Sequence, residues 1–279
     1  MLLELAIGDA YGAGFEYTDM SMIQRDNTLA RYVKHPHHNI KPGMYTDDTQ
    51  MSIAIVEAIL SAQPWTAGLL AQKFVEAFKR DPHEGYASGF YSFLQHVQNG
   101  QQFLREIRPD SDKSGAAMRA APIGVYPTIE QVIERSSLQA AITHNTPDGI
   151  NAAVAASLMT HYFLYRLGPK KELGIFLARH VPGPWARPWH GKVGSKGWMS
   201  VQAAITALLK HTRMSELLKA CIQFSGDVDT VAAIALAAGS CCREIAQDLP
   251  SHLLNALENG SYGKDYIVRL DEQLLRMLS

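Results

Sequence analysis

Two short stretches concentrate oxygen donors in this chain, Thr46-Asp47-Asp48-Thr49 and Asp227-Val228-Asp229-Thr230. Each stands immediately before an Ala-rich apolar run that reads as a buried helix. A helix N-terminus offers unsatisfied N–H groups and the positive end of the peptide dipole, so Thr or Asp there commonly serves as a cap. Either stretch alone reads as such a cap. Together they hold four carboxylates, more than two caps need, and neither contains a lysine or arginine. Burying that much negative charge without a counter-ion is strongly unfavourable, and bound divalent cations would resolve it. Hard oxygen donors without His or Cys favour Mg²⁺, Mn²⁺ or Ca²⁺ over zinc. Asp47, Asp48, Asp227 and Asp229 carry charge for two such ions, which points to metal-assisted chemistry.

The elements that must position these groups are helices. Met214, Leu217, Leu218, Cys221 and Ile222 repeat at helical spacing, as do Val201, Ala204, Ile205, Leu208 and Leu209, and further on Ile267, Leu270 and Leu274. Three stretches, 51–60, 152–165 and 231–238, are apolar on nearly all sides and belong in the middle of a large helical core. The helix opened by Asp47 and Asp48 is expected to end near residue 62, and the one opened by Asp227 and Asp229 near residue 245. No run of alternating β-branched residues argues for strands. Pro64, Pro82, Pro109, Pro127, Pro147, Pro169 and Pro250 fall between helical segments. Two longer irregular stretches, 25–45 and 181–197, have the length of functional loops. With no repeat and no linker, the 279 residues read as one all-α domain spanning 1–279.

Bulk properties remove several classes of function. A net charge of −1 and a pI near 6.8 give no support for nucleic-acid or anionic-membrane binding. Three cysteines, two of them adjacent, make neither a disulfide framework nor a zinc site. The first residues lack a basic segment followed by an apolar run, and no stretch is apolar enough to span a bilayer. The expectation is a cytoplasmic protein.

The acidic stretches resemble a known family. Tyr45-Thr46-Asp47-Asp48-Thr49-Gln50 and Ser225-Gly226-Asp227-Val228-Asp229-Thr230 look like the paired metal motifs of the ADP-ribosylglycohydrolases. Ile7-Gly8-Asp9-Ala10-Tyr11-Gly12-Ala13-Gly14-Phe15-Glu16 is similar to that family's G-D-x-x-G-x-x-x-E opening. Ser114 to Gly124 resembles its N-G-x-x-M-R-x-x-P-x-G segment, and Thr143-His144 its T-H element. The matches run in family order over nearly the whole chain. Ser114 stands where the family commonly has Asn, and Ser225 and Val228 replace a Gly and a Thr of its last motif.

The resemblance implies a compact, orthogonal all-α bundle with a binuclear Mg²⁺ centre (Mn²⁺ being the alternative) at the base of an ADP-ribose cleft. It implies Thr46, Asp47, Asp48, Asp227, Asp229 and Thr230 as ligands. It implies hydrolysis of a ribosyl bond in an ADP-ribosylated protein or small molecule, with ADP-ribosyl-arginine the first choice of substrate. Serine-linked or small ADP-ribosyl compounds, or binding without catalysis, are the alternatives. Glu16 is the carboxylate beside the scissile bond on this resemblance; without it, Glu16 reads as a helix-surface residue. Proton transfer falls to Glu16, Asp227 or Asp229. Ser114 and Gly115 precede a helical stretch, so their N–H groups suit phosphate oxygens or an ordinary turn. Gly194-Ser195-Lys196-Gly197 is a weaker phosphate site. His144 reads as a substrate contact or a satisfied core histidine. Trp185, Trp189 and Trp198 stack on adenine or close their loop. His35, His37 and His38 have the composition of a metal tract but read as a solvated loop. Asp9 is expected to bond backbone groups near the metal loop, and Gly8 and Gly12 to permit close helix packing.

Overall fold

A computed structural model describes residues 1–278. Fifteen α-helices follow one another among them. The first eight are α1 (Leu2–Gly12), α2 (Met20–Asp26), α3 (Asp47–Leu60), α4 (Ala67–Arg80), α5 (Ser88–His96), α6 (Gly100–Glu106), α7 (Gly115–Met118) and α8 (Ile129–Ala141). The rest are α9 (Pro147–Leu164), α10 (Leu173–His180), α11 (Gly197–Lys210), α12 (Met214–Gln223), α13 (Val228–Ser240), α14 (Ser251–Ala256) and α15 (Lys264–Leu275). Among the described residues β pairing is limited to isolated bridges, of which Val193 with Gly226 and Lys113 with Lys196 lie beside the site. No described helix is long and apolar enough to cross a membrane.

The three all-round apolar stretches are the central helices. α13 is buried from Val228 to Gly239, α9 from Ala152 to Phe163, and α3 at every position from Asp48 to Val56. Local chemistry sets their starts. Thr46 Oγ1 accepts the N–H of Asp48, and Thr146 Oγ1 accepts that of Gly149 with Pro147 in the first turn. α13 ends at Ser240, about five residues before the expected limit. There the bonds shorten to i→i−3 (Cys241 N–H to Ala238 O, Cys242 N–H to Gly239 O), and the chain turns polar at Arg243 and Glu244.

α1 lies along α13. The glycines four residues apart on α1 make that approach possible. A Cβ at Gly8 would stand 2.7 Å from Ala232 O, and one at Gly12 only 2.3 Å from the Asp229 Cα. Gly12→Ala is therefore expected to force α1 away from the start of α13 and to destabilise the fold by about 1–3 kcal/mol. Denaturant midpoints read this directly, and an unchanged midpoint would mean that the two helices slide apart freely.

Candidate active site

Asp9, on α1 and fully buried, ties the start of α3 in place. Its carboxylate accepts from Thr46 N (2.9 Å), Thr46 Oγ1 (2.8 Å), Thr49 N (3.0 Å) and Thr49 Oγ1 (2.5 Å). Asp9 is thus a structural anchor, and Asp47 and Asp48 project from a fixed helix end. Gly85 covers Asp47 from the loop before α5, where a Cβ would lie 2.3 Å from Asp47 Oδ1 and φ is +103°. The Glu84 carbonyl accepts the Asp47 N–H at 3.1 Å. Sequence reading missed Gly85, because its importance comes from proximity rather than from a motif.

The second acidic stretch faces the first. Glu16, Asp227 and Asp229 each place a carboxylate oxygen within 4.8 Å of the others. The hydroxyl of Thr230 serves both Asp48 and Asp227, and Ser114 and Ser200 also point hydroxyls at Asp227. Asp48 Oδ1 and Asp229 Oδ1 are buried with no hydrogen-bond partner. Burial first, then the charges of neighbouring carboxylates, pushes Asp47, Asp48 and Asp229 well above the usual carboxylate range. Burial together with Asp227 and Asp9 raises Glu16 to about 7. Orphaned hard oxygens among mutually repelling carboxylates are the donor set of a Mg²⁺- or Mn²⁺-type ion, so these residues fit such a centre.

A cavity of about 600 Å³ opens above this cluster. Its wall includes Glu16, Asp47, Asp48, Asp227, Asp229, Thr230, Ser114, Gly115 and His144. Of the expected metal ligands, Thr46 alone lies outside this wall; its hydroxyl is turned to Asp9. Beside these carboxylates the wall carries Glu106, the cations Arg108, Lys113 and Arg119, and the rings of Phe90 and Phe93.

Arg119 was not singled out by sequence, although it lies in the Ser114–Gly124 segment. Its guanidinium is buried over the Phe74 ring and donates to Gln139 Oε1, Gln139 O and Thr143 Oγ1. Burial lowers it to about 9. This contact orients His144. Thr143 Oγ1, which accepts from Arg119, lies 2.7 Å from His144 Nδ1 and fixes that edge of the ring. The opposite edge of the ring, Cε1 and Nε2, faces Gly115. Burial, reinforced by the Arg119 charge, drops His144 to about 3 and keeps it neutral.

Other expectations are met differently. The N–H of Ser114 is donated to Ser195 O at 3.0 Å and is not available to an anion. Ser195 lines the cavity, whereas Lys196 pairs with Asp112. The three tryptophans close their own loop. Trp185 is buried and donates to Val181 O, Trp189 donates to Gly191 O and meets the Trp198 ring edge-on, and none of the three borders the cavity. His37 and His38 are exposed as expected, but His35 is buried, with its ring bonded to backbone.

A family model described as ADP-ribosylglycohydrolase matches residues 1–279. The chain belongs to the ADP-ribosylglycohydrolase family. Among curated relatives, the ADP-ribosylhydrolase ARH3 of Xenopus tropicalis is 28% identical over 196 residues, covering 63% of this chain and 53% of that protein. The ADP-ribosylarginine hydrolase Tri1 of Serratia proteamaculans is 20% identical over 250 residues, covering 83% of this chain and 67% of that protein. The ADP-ribosyl-[dinitrogen reductase] glycohydrolase of Rhodospirillum rubrum is 26% identical over 270 residues, covering 92% and 88%. The chain spans about half the length of the ARH3 relatives that it matches. A solved structure titled "ADP-ribosylglycohydrolase-related protein complex" superposes with a TM-score of 0.75 at 19% identity, covering all of this chain and 96% of that one. That likeness establishes the ADP-ribosylglycohydrolase fold, all-α as the helical periodicity implied.

Proposed function

We propose that this protein is a metal-dependent hydrolase that breaks the ribosyl bond of ADP-ribosylated acceptors. Its substrate class on this reading is N-linked ADP-ribosyl-arginine, and ADP-ribose is released. The observation that carries the proposal is the opposition of Glu16 to Asp227 and Asp229, within 4.8 Å, at the foot of a cavity of about 600 Å³. That volume suits one nucleotide-sized ligand. Asp47, Asp48, Asp227, Asp229 and Thr230 would hold two Mg²⁺, or Mn²⁺ in their place, with Thr46 supporting them from behind through Asp9. Ions bound there supply Lewis acidity and neutralise the carboxylate floor.

The chain's own groups divide the remaining work. The His144 ring, Gly115 and Ser114 line the polar middle of the substrate, with Lys113 and Arg108 adding positive charge toward the diphosphate. Phe90 and Phe93 offer an apolar wall to the base. Water adds to the ribose C1 as the bond from C1 to the guanidine nitrogen breaks. The water's proton passes to the Glu16 carboxylate, and Glu16 hands it on to the departing nitrogen. Asp227 and Asp229 face the developing positive charge on the ribose. The arginine assignment draws support from the Tri1 relative's name and from the attraction of a guanidinium to a carboxylate-lined site. A cytoplasmic setting accords with the three free thiols.

The test is release of free ADP-ribose from arginine-linked and serine-linked peptides, each assayed with Mg²⁺ and with EDTA. EDTA-sensitive release from the arginine peptide is expected. Release from the serine peptide alone would reassign the substrate class. Binding of ADP-ribose with no release from either peptide would make this a binding protein.

A further inference from the structure

The His35-Pro36-His37-His38 tract lies outside the cavity wall, yet one of its side chains reaches the Glu16 backbone. His35 is 3% exposed. Its Nδ1 accepts the N–H of His37 at 3.1 Å and of His38 at 2.8 Å. A ring nitrogen that accepts two N–H groups carries no proton of its own, so the proton of the neutral ring sits on Nε2. Nε2 lies 2.8 Å from Glu16 O, and a carbonyl only accepts, so Nε2–H donates to it. All three contacts demand the same neutral tautomer.

The peptide unit that His35 grips is held at its other end as well. The N–H of Tyr17 belongs to the same planar unit as the Glu16 carbonyl, and it donates to Gly226 O at 2.9 Å. Gly226 directly precedes Asp227. Tyr17 sits at φ +50°, in the left-handed region that a tyrosine rarely adopts, so this unit needs external restraint to keep its orientation. Clamping both ends fixes the direction in which the Glu16 side chain leaves the backbone, relative to the loop that carries Asp227. We propose that His35 is a positioning residue for Glu16, acting through the Glu16–Tyr17 peptide. The inference rests on Glu16 working at the scissile bond, as proposed above.

Two substitutions separate the clamp from the turn around it. Asparagine at 35 places Oδ1 near the position of ring Nδ1 and still accepts the turn N–H groups, but is too short to reach Glu16. Glutamine places an amide N–H near ring Nε2 and donates to Glu16 O, but gives the turn no acceptor. His35→Asn is expected to lower kcat for ADP-ribose release by about 10- to 100-fold, the scale of a small misplacement of a reacting group, with KM within about twofold. His35→Gln is expected to keep kcat within about threefold of the parent. Amide hydrogen exchange across residues 13–18 should quicken in the Asn variant and not in the Gln variant. Equal loss of kcat in both variants, or no change in either measurement for His35→Asn, would overturn the proposal. Nitrogen-15 shifts of the His35 ring in the parent chain must report a proton on Nε2, and a proton on Nδ1 would also overturn it. If the parent hydrolyses no substrate, the functional reading fails, while the exchange and the ring shifts still decide the clamp.

Discussion

Glu16→Gln is expected to lower kcat by about 10³-fold and to leave KM within a few-fold. The residue is half-buried on the cavity wall, close to Asp227 and Asp229. Glutamine keeps its length and packing and loses the ability to exchange a proton. Because the amide is neutral, it also relieves the repulsion that Glu16 exerts on Asp47 and Asp229, so metal affinity should not rescue the rate. Steady-state kinetics on the arginine-linked substrate, together with ADP-ribose affinity by calorimetry, separates catalysis from binding. A variant that turns over at the parent rate would remove Glu16 from the chemistry and shift proton transfer to Asp227 or Asp229.

The second large effect is on stability, and its sign is unusual. Asp48→Asn should stabilise the metal-free protein and abolish its stabilisation by Mg²⁺. Asp48 Oδ1 is buried without a partner, and the carboxyl is held well above its usual range by burial and by Asp9, Asp47 and Asp227. A carboxyl whose folded pKa is raised binds its proton more tightly in the folded state. Stability is then greatest below the unfolded value of 3.8 and falls as pH rises toward the folded value. The parent chain in EDTA should therefore lose stability on going from pH 4 to pH 7, and the Asn variant should lose less. Neutralising one of several buried, unpaired charges is worth about 1–4 kcal/mol. Saturating Mg²⁺ should stabilise the parent by about 2.7 kcal/mol at a hundredfold excess over Kd and leave the variant unmoved. Thermal melts with EDTA and with Mg²⁺ give all four numbers. An Asn variant that melts lower than the parent in EDTA would show that the acidic cluster is satisfied without a cation.

Much of this was legible in the sequence, because two kinds of signal are local. Apolar periodicity located α11, α12 and α15, and all-round apolar character located α3, α9 and α13. The excess of carboxylates over capping needs located the floor of the cavity, and the spacing of Gly8 and Gly12 gave the close approach of α1. What escaped depends on contacts between distant segments. Arg119 bears on His144 only because the end of α8 and the turn after it bring Gln139 and Thr143 to it. Gly85 matters only because its loop folds over Asp47. The Ser114 N–H looked available in a turn and is consumed by Ser195, which is 81 positions away. His35 read as one member of a polar histidine run, and its burial follows from the path that returns it to Glu16.

The close crossing of α1 and α13 also bears on when the protein becomes active. Asp9 and Glu16 leave the ribosome first, while Asp227 and Asp229 follow more than two hundred residues later. Until the later helix arrives, the earlier carboxylates have only half a cage. The proposed ion site would then form only after residue 229 is made, in a closure with a long loop to bridge. On the proposed metal reading, a chain cut before Asp227 would take up no ion at this cluster, so metal uptake would report that both halves of the site are present.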